Sequence, residues 1–340
     1  MTAQRTAPTL NDVARQAGVS TATVSRCLNS PDRVIESTRT RVMNAVRDLG
    51  YSPHFGARVM AAKRTNTIGA IIPTMENAMF ARGVQAFQEE LRAHGYTLLV
   101  ASSSYRADIE EEQIRALVAR GADGLMLIGL DRDPSIYRFL ETQGVPTLVT
   151  WTHGDDSGLA SIGFNNRTSM RALAEKVLDF GHRRIGVISA DTKGNDRARL
   201  RVMGIRDALQ AAGLELDDHR IIETVYEIDA GAKAFADLMA TEPRPTAVLC
   251  GNDVLAAGAL RQARDMGLDV PGDVSVTGFD DLELARIVTP ALTTVHVPHQ
   301  EMGTQAARAL VDMVEKKGPG KTLELDARIC LRDSLGPPPD

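Results

Sequence analysis

Hydrophobic and polar positions divide the chain into three textures. Over residues 9–51, apolar positions recur at helical spacing with no strand between them, which predicts three short helices. Residues 52–66 are rich in Ala and Arg, with Pro53 near the start and KRTNT at the end. From Thr67 onward, short β-branched runs alternate with amphipathic segments. The runs are TIGAIIP at 67, YTLLVAS at 96, DGLMLIG at 123, PTLVT at 146 and ASIGF at 160. RIGVISA at 184, RIIETVY at 220, TAVLCG at 246, VSVTGF at 274, LTTVH at 292 and LDARICLR at 325 complete the series. Continuous apolar runs suit strands buried on both faces. Helical patterns over 78–94, 107–120, 134–143, 167–181, 196–212, 230–241, 253–266 and 298–316 separate them. The alternation predicts an α/β body with parallel sheets.

The strand starts at 67, 96, 123 and 146 are echoed at 184, 220, 246 and 274. Two similar lobes fit that repeat better than one very wide twisted sheet. A ligand is then expected between the lobes, beyond the carboxyl ends of the strands.

In the first texture, Thr9 is a plausible N-cap with Asp12 as its partner, and Gly18 supplies a left-handed stop. Val13, Ala14 and Ala17 form the buried side of that helix. Ser20 caps the next one, where Val24, Cys27 and Leu28 share one arc and Ala22, Ser25, Arg26 and Asn29 the other. A greasy back with small residues and an Arg in front suits reading of a DNA major groove. A plain three-helix bundle has the same pattern. The third helix, expected over about 38–49, packs Val42, Val46 and Leu49.

Charge favours the DNA reading. The whole chain carries −5, yet residues 1–66 hold ten Lys and Arg against four acids, a net of +6 that leaves −11 for the rest. A basic head on an acidic body suggests a polyanion-binding module beside a domain with another task. Hydrophobic residues at 43% and charged ones at 24% are ordinary globular proportions. No apolar run approaches the length of a membrane helix, and no apolar stretch follows the first basic residue as a secretory signal would. Cys27, Cys250 and Cys330 are too scattered for a disulfide framework or a Cys-x-x-Cys site, so a reducing cytoplasm is expected.

TLNDVARQAGVSTATVSRCLN, followed by VIESTRTRVMNAVRDLGYSP, closely resembles the headpiece of the LacI/GalR family of bacterial transcription regulators. The likeness is specific over residues 9–60 and continues as fold and spaced motifs to about residue 333. It implies a helix-turn-helix headpiece at 1–51 and a hinge helix and linker at 52–66. A two-lobed body, similar to a periplasmic binding protein, would follow at 67–340. The first lobe would take about 67–165 plus 296–322, and the second about 166–295 plus 323–335. It further implies a homodimer on double-stranded DNA carrying a pseudo-palindromic operator. The chain ends in GPPPD without a heptad segment, so dimers rather than tetramers are expected.

Carried over by position, Thr21, Ala22 and Arg26 occupy the specificity-reading sites. Ser20, Thr23, Ser25 and Asn29 match positions that hold the DNA backbone or orient the helix, and Thr9 and Tyr51 join the DNA-binding set. Ile35 stands where relatives have a capping Ser, which puts Ser37 forward as the cap of a shifted third helix. In the hinge, Ala57-Arg58-Val59-Met60 replaces the family's Ala-Arg-x-Leu, so Met60 would be the apolar wedge in the minor groove. His54 stands where Asn is common. A ten-residue segment with Gly56 is marginal as an isolated helix and is expected to fold on DNA.

The body shows no Gly-x-Gly-x-x-Gly, Walker motif, nucleophile elbow or His-Glu-x-x-His, so no enzyme, cofactor or metal is expected. His182 reads as scaffold. The resemblance implies instead a small-molecule effector held by Arg201, Asn252 and Asp280, with Asn77 and Phe80 from the first lobe. Trp151 is a candidate cleft wall or a packing residue, and Phe164 is a weaker candidate. An Arg fork with carboxylates suits a sugar, and equally a sugar acid or sugar phosphate. Purines occur as effectors in the family and stay open. The alternative to a regulator is a periplasmic-type sugar-binding protein.

Overall fold

The computed structural model describes residues 7–52, 64–76, 78–153, 158–318 and 320–339, without the side chain of Asn29. The chain forms two compact units, Met1–Thr65 and Asn66–Asp340. The expected hinge residues His54, Ala57, Arg58 and Met60 lie outside the described residues, as does Asn77.

The first unit holds α1 (Leu10–Ala17), α2 (Thr21–Asn29), a 3-10 turn (Pro31–Arg33) and α3 (Glu36–Leu49). Thr9 and Asp12 form a reciprocal capping box at the start of α1, and Gly18 ends it at φ 63°. The Ser20 hydroxyl accepts from the Thr23 amide at 3.2 Å and starts α2. Val13, Ala14, Ala17, Val24, Cys27, Val42, Ala45 and Tyr51 close the core. The expected shift of α3 is corrected. Its N-cap is Ile35, whose carbonyl receives the Thr38 and Arg39 amides, so Ser37 lies inside the first turn. No side chain caps this helix, and Ile35 is 77% exposed.

The second unit has two parallel sheets. The first contains β1 (Thr67–Ile72), β2 (Thr97–Ser102), β3 (Gly124–Ile128), β4 (Thr147–Thr150), β5 (Ala160–Gly163) and β11 (Leu323–Glu324), in the order β2-β1-β3-β4-β5-β11. The second contains β6 (Ile185–Ala190), β7 (Ile221–Thr224), β8 (Ala247–Cys250) and β9 (Ser275–Thr277), in the order β7-β6-β8-β9. The repeat read from strand spacing therefore has a topological counterpart: the first four strands of each lobe are wound alike.

The helices are α4 (Ala78–Ala93), α5 (Ala107–Ala119), α6 (Pro134–Thr142), α7 (Asn166–Asp179), α8 (Asp196–Ala211) and α9 (Ile228–Met239). They continue as α10 (Asp253–Asp265), α11 (Leu284–Ile287) and α12 (His299–Val314). Helix α12 returns to the first lobe and packs along α4. Two expectations are corrected here. Residues 323–324, expected in the second lobe, pair with Ile162 and Gly163 of β5, because a parallel strand there extends the first sheet. The run at 325 is not one strand. It yields β12 (Arg328–Cys330), which pairs antiparallel with β10 (Thr294–His296).

Candidate functional site

On α2 the outward face is small and basic. Ala22 and Arg26 are exposed at i, i+4, flanked by the half-buried Thr21, Thr23 and Ser25, while Val24 and Cys27 are buried behind them. Arg26 can therefore reach outward from a helix whose back is fixed by packing. The sequence-predicted Tyr51 is only 8% exposed, its ring part of the headpiece core. Thr9 is committed to its cap, donating to Asp12 Oδ2 at 2.6 Å.

In the second unit, a cavity of about 930 Å³ opens between the carboxyl ends of the two sheets. Its walls include Thr74, Ser102 and Tyr105 from the first lobe and Lys193, Asn195 and Tyr226 from the second. Tyr105 follows β2 and Tyr226 follows β7, equivalent places in the two lobes, and their rings meet at 5.9 Å across the cleft. Both escaped the sequence reading. The internal repeat was the signal that could have found them, since it equates the ends of those two strands.

Near these rings lies a buried polar group. Arg201 of α8 is 2% exposed. It donates from Nε to Asn166 at 2.9 Å and from Nη1 to the Gly251 carbonyl at 2.5 Å, and its guanidinium lies 3.8 Å from the Phe279 ring centre. Its Nη2 is 3.8 Å from Asp280 Oδ1. Asp280 is 1% exposed, at φ 108°, and neither carboxylate oxygen has a hydrogen-bond partner among the described residues. Burial pushes its acid up to about 7, against the opposing pull of Arg201. Next to it, Asp253 accepts from the Leu282 amide at 2.7 Å and the Thr294 hydroxyl at 2.6 Å. Burial first, and Asp280 second, push Asp253 up to about 8. Asn252 caps α10 through the Leu255 amide at 2.9 Å, and its Nδ2 has no partner among the described residues.

The expected ligand contacts of Phe80 and Phe164 are corrected, and Trp151 takes the packing alternative. Phe80, Trp151 and Phe164 are each 1% exposed or less. Trp151 lies edge-on to Phe80 and stacks on His299, and Phe164 stacks on Phe279. They support the site from within the core and offer no open face to a ligand. The acids of Phe279-Asp280-Asp281 are not solvated either. Asp281 is taken up by His296 Nδ1 at 2.9 Å and Arg332 Nη2 at 2.5 Å. His182 is wholly buried between Thr246 and Gly336, bonding them at 3.0 and 2.8 Å, as scaffold would be.

A seam of direct contacts joins the lobes. Asp196 accepts from the Leu130 amide at 2.8 Å, Arg197 donates to the Ile128 carbonyl at 3.3 Å, and Arg199 grips Asp131 with both terminal nitrogens. Gly129 makes this approach feasible. It sits at φ 75°, and a Cβ there would overlap Arg197 Nη1 and Asp196 Oδ1.

Among the described residues, no helix is long and apolar enough to cross a membrane, and no His, Cys, Asp and Glu group could hold a metal ion. Residues 9–54 match the bacterial regulatory proteins of the lacI family, and residues 174–335 match a periplasmic binding protein-like domain. A helix-turn-helix unit joined to a body of that kind defines a class, the DNA-binding transcriptional repressors. The chain is 33% identical to the HTH-type transcriptional repressor PurR of Proteus mirabilis, over 97% of this chain and 98% of that one. It is 33% identical to the repressor CytR of Escherichia coli K12, over 97% of each. Among solved structures, the lac repressor dimer bound to operator and the anti-inducer ONPF matches with TM-score 0.86 and 26% identity, over 97% of this chain and 100% of that one. The regulator CelR in complex with cellobiose matches with TM-score 0.71 and 30% identity, over 96% and 99%. This chain belongs to the lacI family of bacterial regulatory proteins.

Proposed function

We propose that this repressor controls carbohydrate-metabolism genes and responds to a hydroxylated small molecule, a sugar, sugar acid or sugar phosphate, bound between its lobes. The observation that carries the reading is the buried gap between Arg201 and Asp280. A hydroxyl placed there would accept from the guanidinium and donate to the carboxylate, which supplies the partner that Asp280 lacks among the described residues. A ligand made only of apolar groups would leave the Asp280 carboxylate unpaired at the cost that buried polar groups incur. The Tyr105 and Tyr226 hydroxyls and Asn195 add polar contacts for a polyol.

The likeness to PurR supports a second reading, a purine-type ligand in the same cavity. The facing Tyr105 and Tyr226 rings suit a planar base, and a ribose would bring hydroxyls to the Arg201–Asp280 gap.

On the DNA side, the headpiece at 1–51 would dock α2 into the major groove, with Arg26 on a base edge. The segment 52–66 would couple it to the body, in a homodimer on a pseudo-palindromic operator. The effector acts only if it binds the DNA-competent and incompetent states unequally. Thermal unfolding with panels of sugars, sugar acids, sugar phosphates and purines tests the ligand class. A ligand at 100 times its Kd should stabilise the body by about 2.7 kcal/mol. A screen in which only compounds without hydroxyl groups stabilise the protein would defeat the proposal.

A further inference from the structure

The cavity between the lobes changes character along its depth. Towards its inner end, the fields of Arg201, Arg197 and Asp280 reach both the Tyr105 and the Tyr226 phenols. Its mouth is apolar. Met75, Tyr105, Val225 and Ile228 line it and stand between 41% and 61% exposed. They come from the loops after β1, β2 and β7 and from the first position of α9, at the carboxyl edges of both sheets. Large apolar side chains left in water around one opening mark a surface that a ligand covers. At about 930 Å³ the cavity is also near the top of the roughly 300–1,000 Å³ range of small-molecule sites, so a single sugar ring fills only part of it.

A second observation is independent of the apolar mouth. The described lining is acidic. Glu76, Asp191, Glu227 and Glu283 stand against Arg82 and Lys193, and Glu283 pairs with Arg82 at 3.0 Å. Glu76, Asp191 and Glu227 then face the single ammonium of Lys193. Helix α9 opens onto the cavity, yet its N-cap is Glu227 and its first turn holds Asp229, so the chain's own carboxylates already answer that helix end. Behind the tyrosines, Asp280 stands opposite Arg201. A ligand bearing a phosphate or a carboxylate would enter against this field, whereas an uncharged one would not.

We propose that the effector is an uncharged glycoside with two unlike ends: a sugar whose hydroxyls reach Arg201 and Asp280, and a flat, uncharged ring that lies against Met75, Val225 and Ile228. The inference rests on the reading of the Arg201–Asp280 gap as the effector site and narrows it, setting sugar acids and sugar phosphates aside. The acidic lining is the filter, and the apolar mouth supplies the added affinity. A bare sugar leaves that mouth in water, and a phosphorylated ligand meets Glu76, Asp191 and Glu227.

The test is calorimetry on the full-length protein with matched series. Glucose, galactose and ribose are each compared with their phenyl glycoside and with the phosphate ester of that glycoside, and ribose also with adenosine, uridine and their monophosphates. In the series that binds most tightly, the uncharged glycoside should bind about tenfold more tightly than its parent sugar and about tenfold more tightly than its phosphate ester. Val225→Ser, at an exposed position, should shrink the preference over the parent sugar. Glu227→Gln should shrink the preference over the phosphate ester by about threefold. A parent sugar that equals its glycoside overturns the inference, and so does a panel in which no member saturates. Asp280→Asn separates this inference from the reading beneath it. If a phosphate ester binds tightest and Asp280→Asn weakens it, the narrowing fails and the gap stands. If Asp280→Asn leaves the tightest binder unchanged, the gap is not the site, and the inference fails with it.

Discussion

Arg201 Nη2 and Asp280 Oδ1 face each other at 3.8 Å, closed off from solvent and too far apart to hydrogen-bond. An isolated carboxylate in such a place raises the free energy of the fold unless something fills the gap. The pair is therefore better suited to binding than to stability. Asp280→Asn keeps the shape and removes the desolvated charge. It should raise the thermal midpoint of the body and weaken effector binding by about 10- to 100-fold, the loss of one charge-assisted hydrogen bond. Calorimetry on wild type and variant measures both, and an unchanged affinity would remove Asp280 from the site.

The same acids predict a pH dependence. Asp253 and Asp280, pushed up to about 8 and about 7, keep protons in the fold that the unfolded chain releases near 3.8. Their contribution is present at low pH and is lost as pH rises through those values. His299, held down to about 3 by burial, and the lowered His182 act oppositely, chiefly below 6.5, where the unfolded chain protonates its histidines. Between pH 6.5 and about 8 the histidine contribution fades and the acids dominate, so the urea midpoint should fall over that window. Asp253→Asn imitates the protonated acid toward Leu282 and Thr294 and should flatten the fall. A midpoint that rises across the window would contradict the assignment.

Gly129→Ala tests the seam. At φ 75° any side chain is strained, and a Cβ there meets Arg197 and Asp196 of the other lobe. The variant should cost about 1 kcal/mol in strain alone. It should also spread the lobes, read as a larger radius of gyration and weaker effector binding. Arg199→Gln, which removes the grip on Asp131 without adding bulk, should loosen the lobes in the same direction. Compact lobes in both variants would show that the seam does not set their spacing.

Much of this architecture was legible in the sequence because it rests on local periodicity. The capping box at Thr9 and Asp12, the stop at Gly18 and the alternation of strands and helices are all short-range signals. The site was legible only in part. Arg201 and Asp280 could be placed through family motifs, but Phe80 and Phe164, read as ligand contacts, are buried in the core, and of the two readings of Trp151 its burial matches packing. Burial is settled by what packs from distant segments, here Gly83 and His299 against Trp151, and spacing does not encode that. The lobe assignment of β11 failed for the same reason, since its partner Ile162 lies far away in sequence. Tyr105 and Tyr226 were missed because each is a single aromatic in a loop and gains meaning only when the lobes face each other.

For DNA, Arg26 is exposed on a helix whose opposite face is locked into the headpiece core. Arg26→Ala should lose about 1–3 kcal/mol of operator affinity and relax one base position. Binding to a panel of single-base operator variants measures this. A uniform loss across all sequences, with a shallower salt dependence, would make Arg26 a phosphate contact instead.

The central claim is that a ligand in the Arg201–Asp280 gap changes the affinity of the headpiece for DNA. Fluorescence anisotropy of labelled operator, titrated with the full-length protein with and without a stabilising ligand, tests it most directly. The account predicts a shifted operator Kd at saturating ligand, and loss of that shift in Asp280→Asn. A ligand that stabilises the body through Asp280 and leaves the operator Kd unchanged would contradict it.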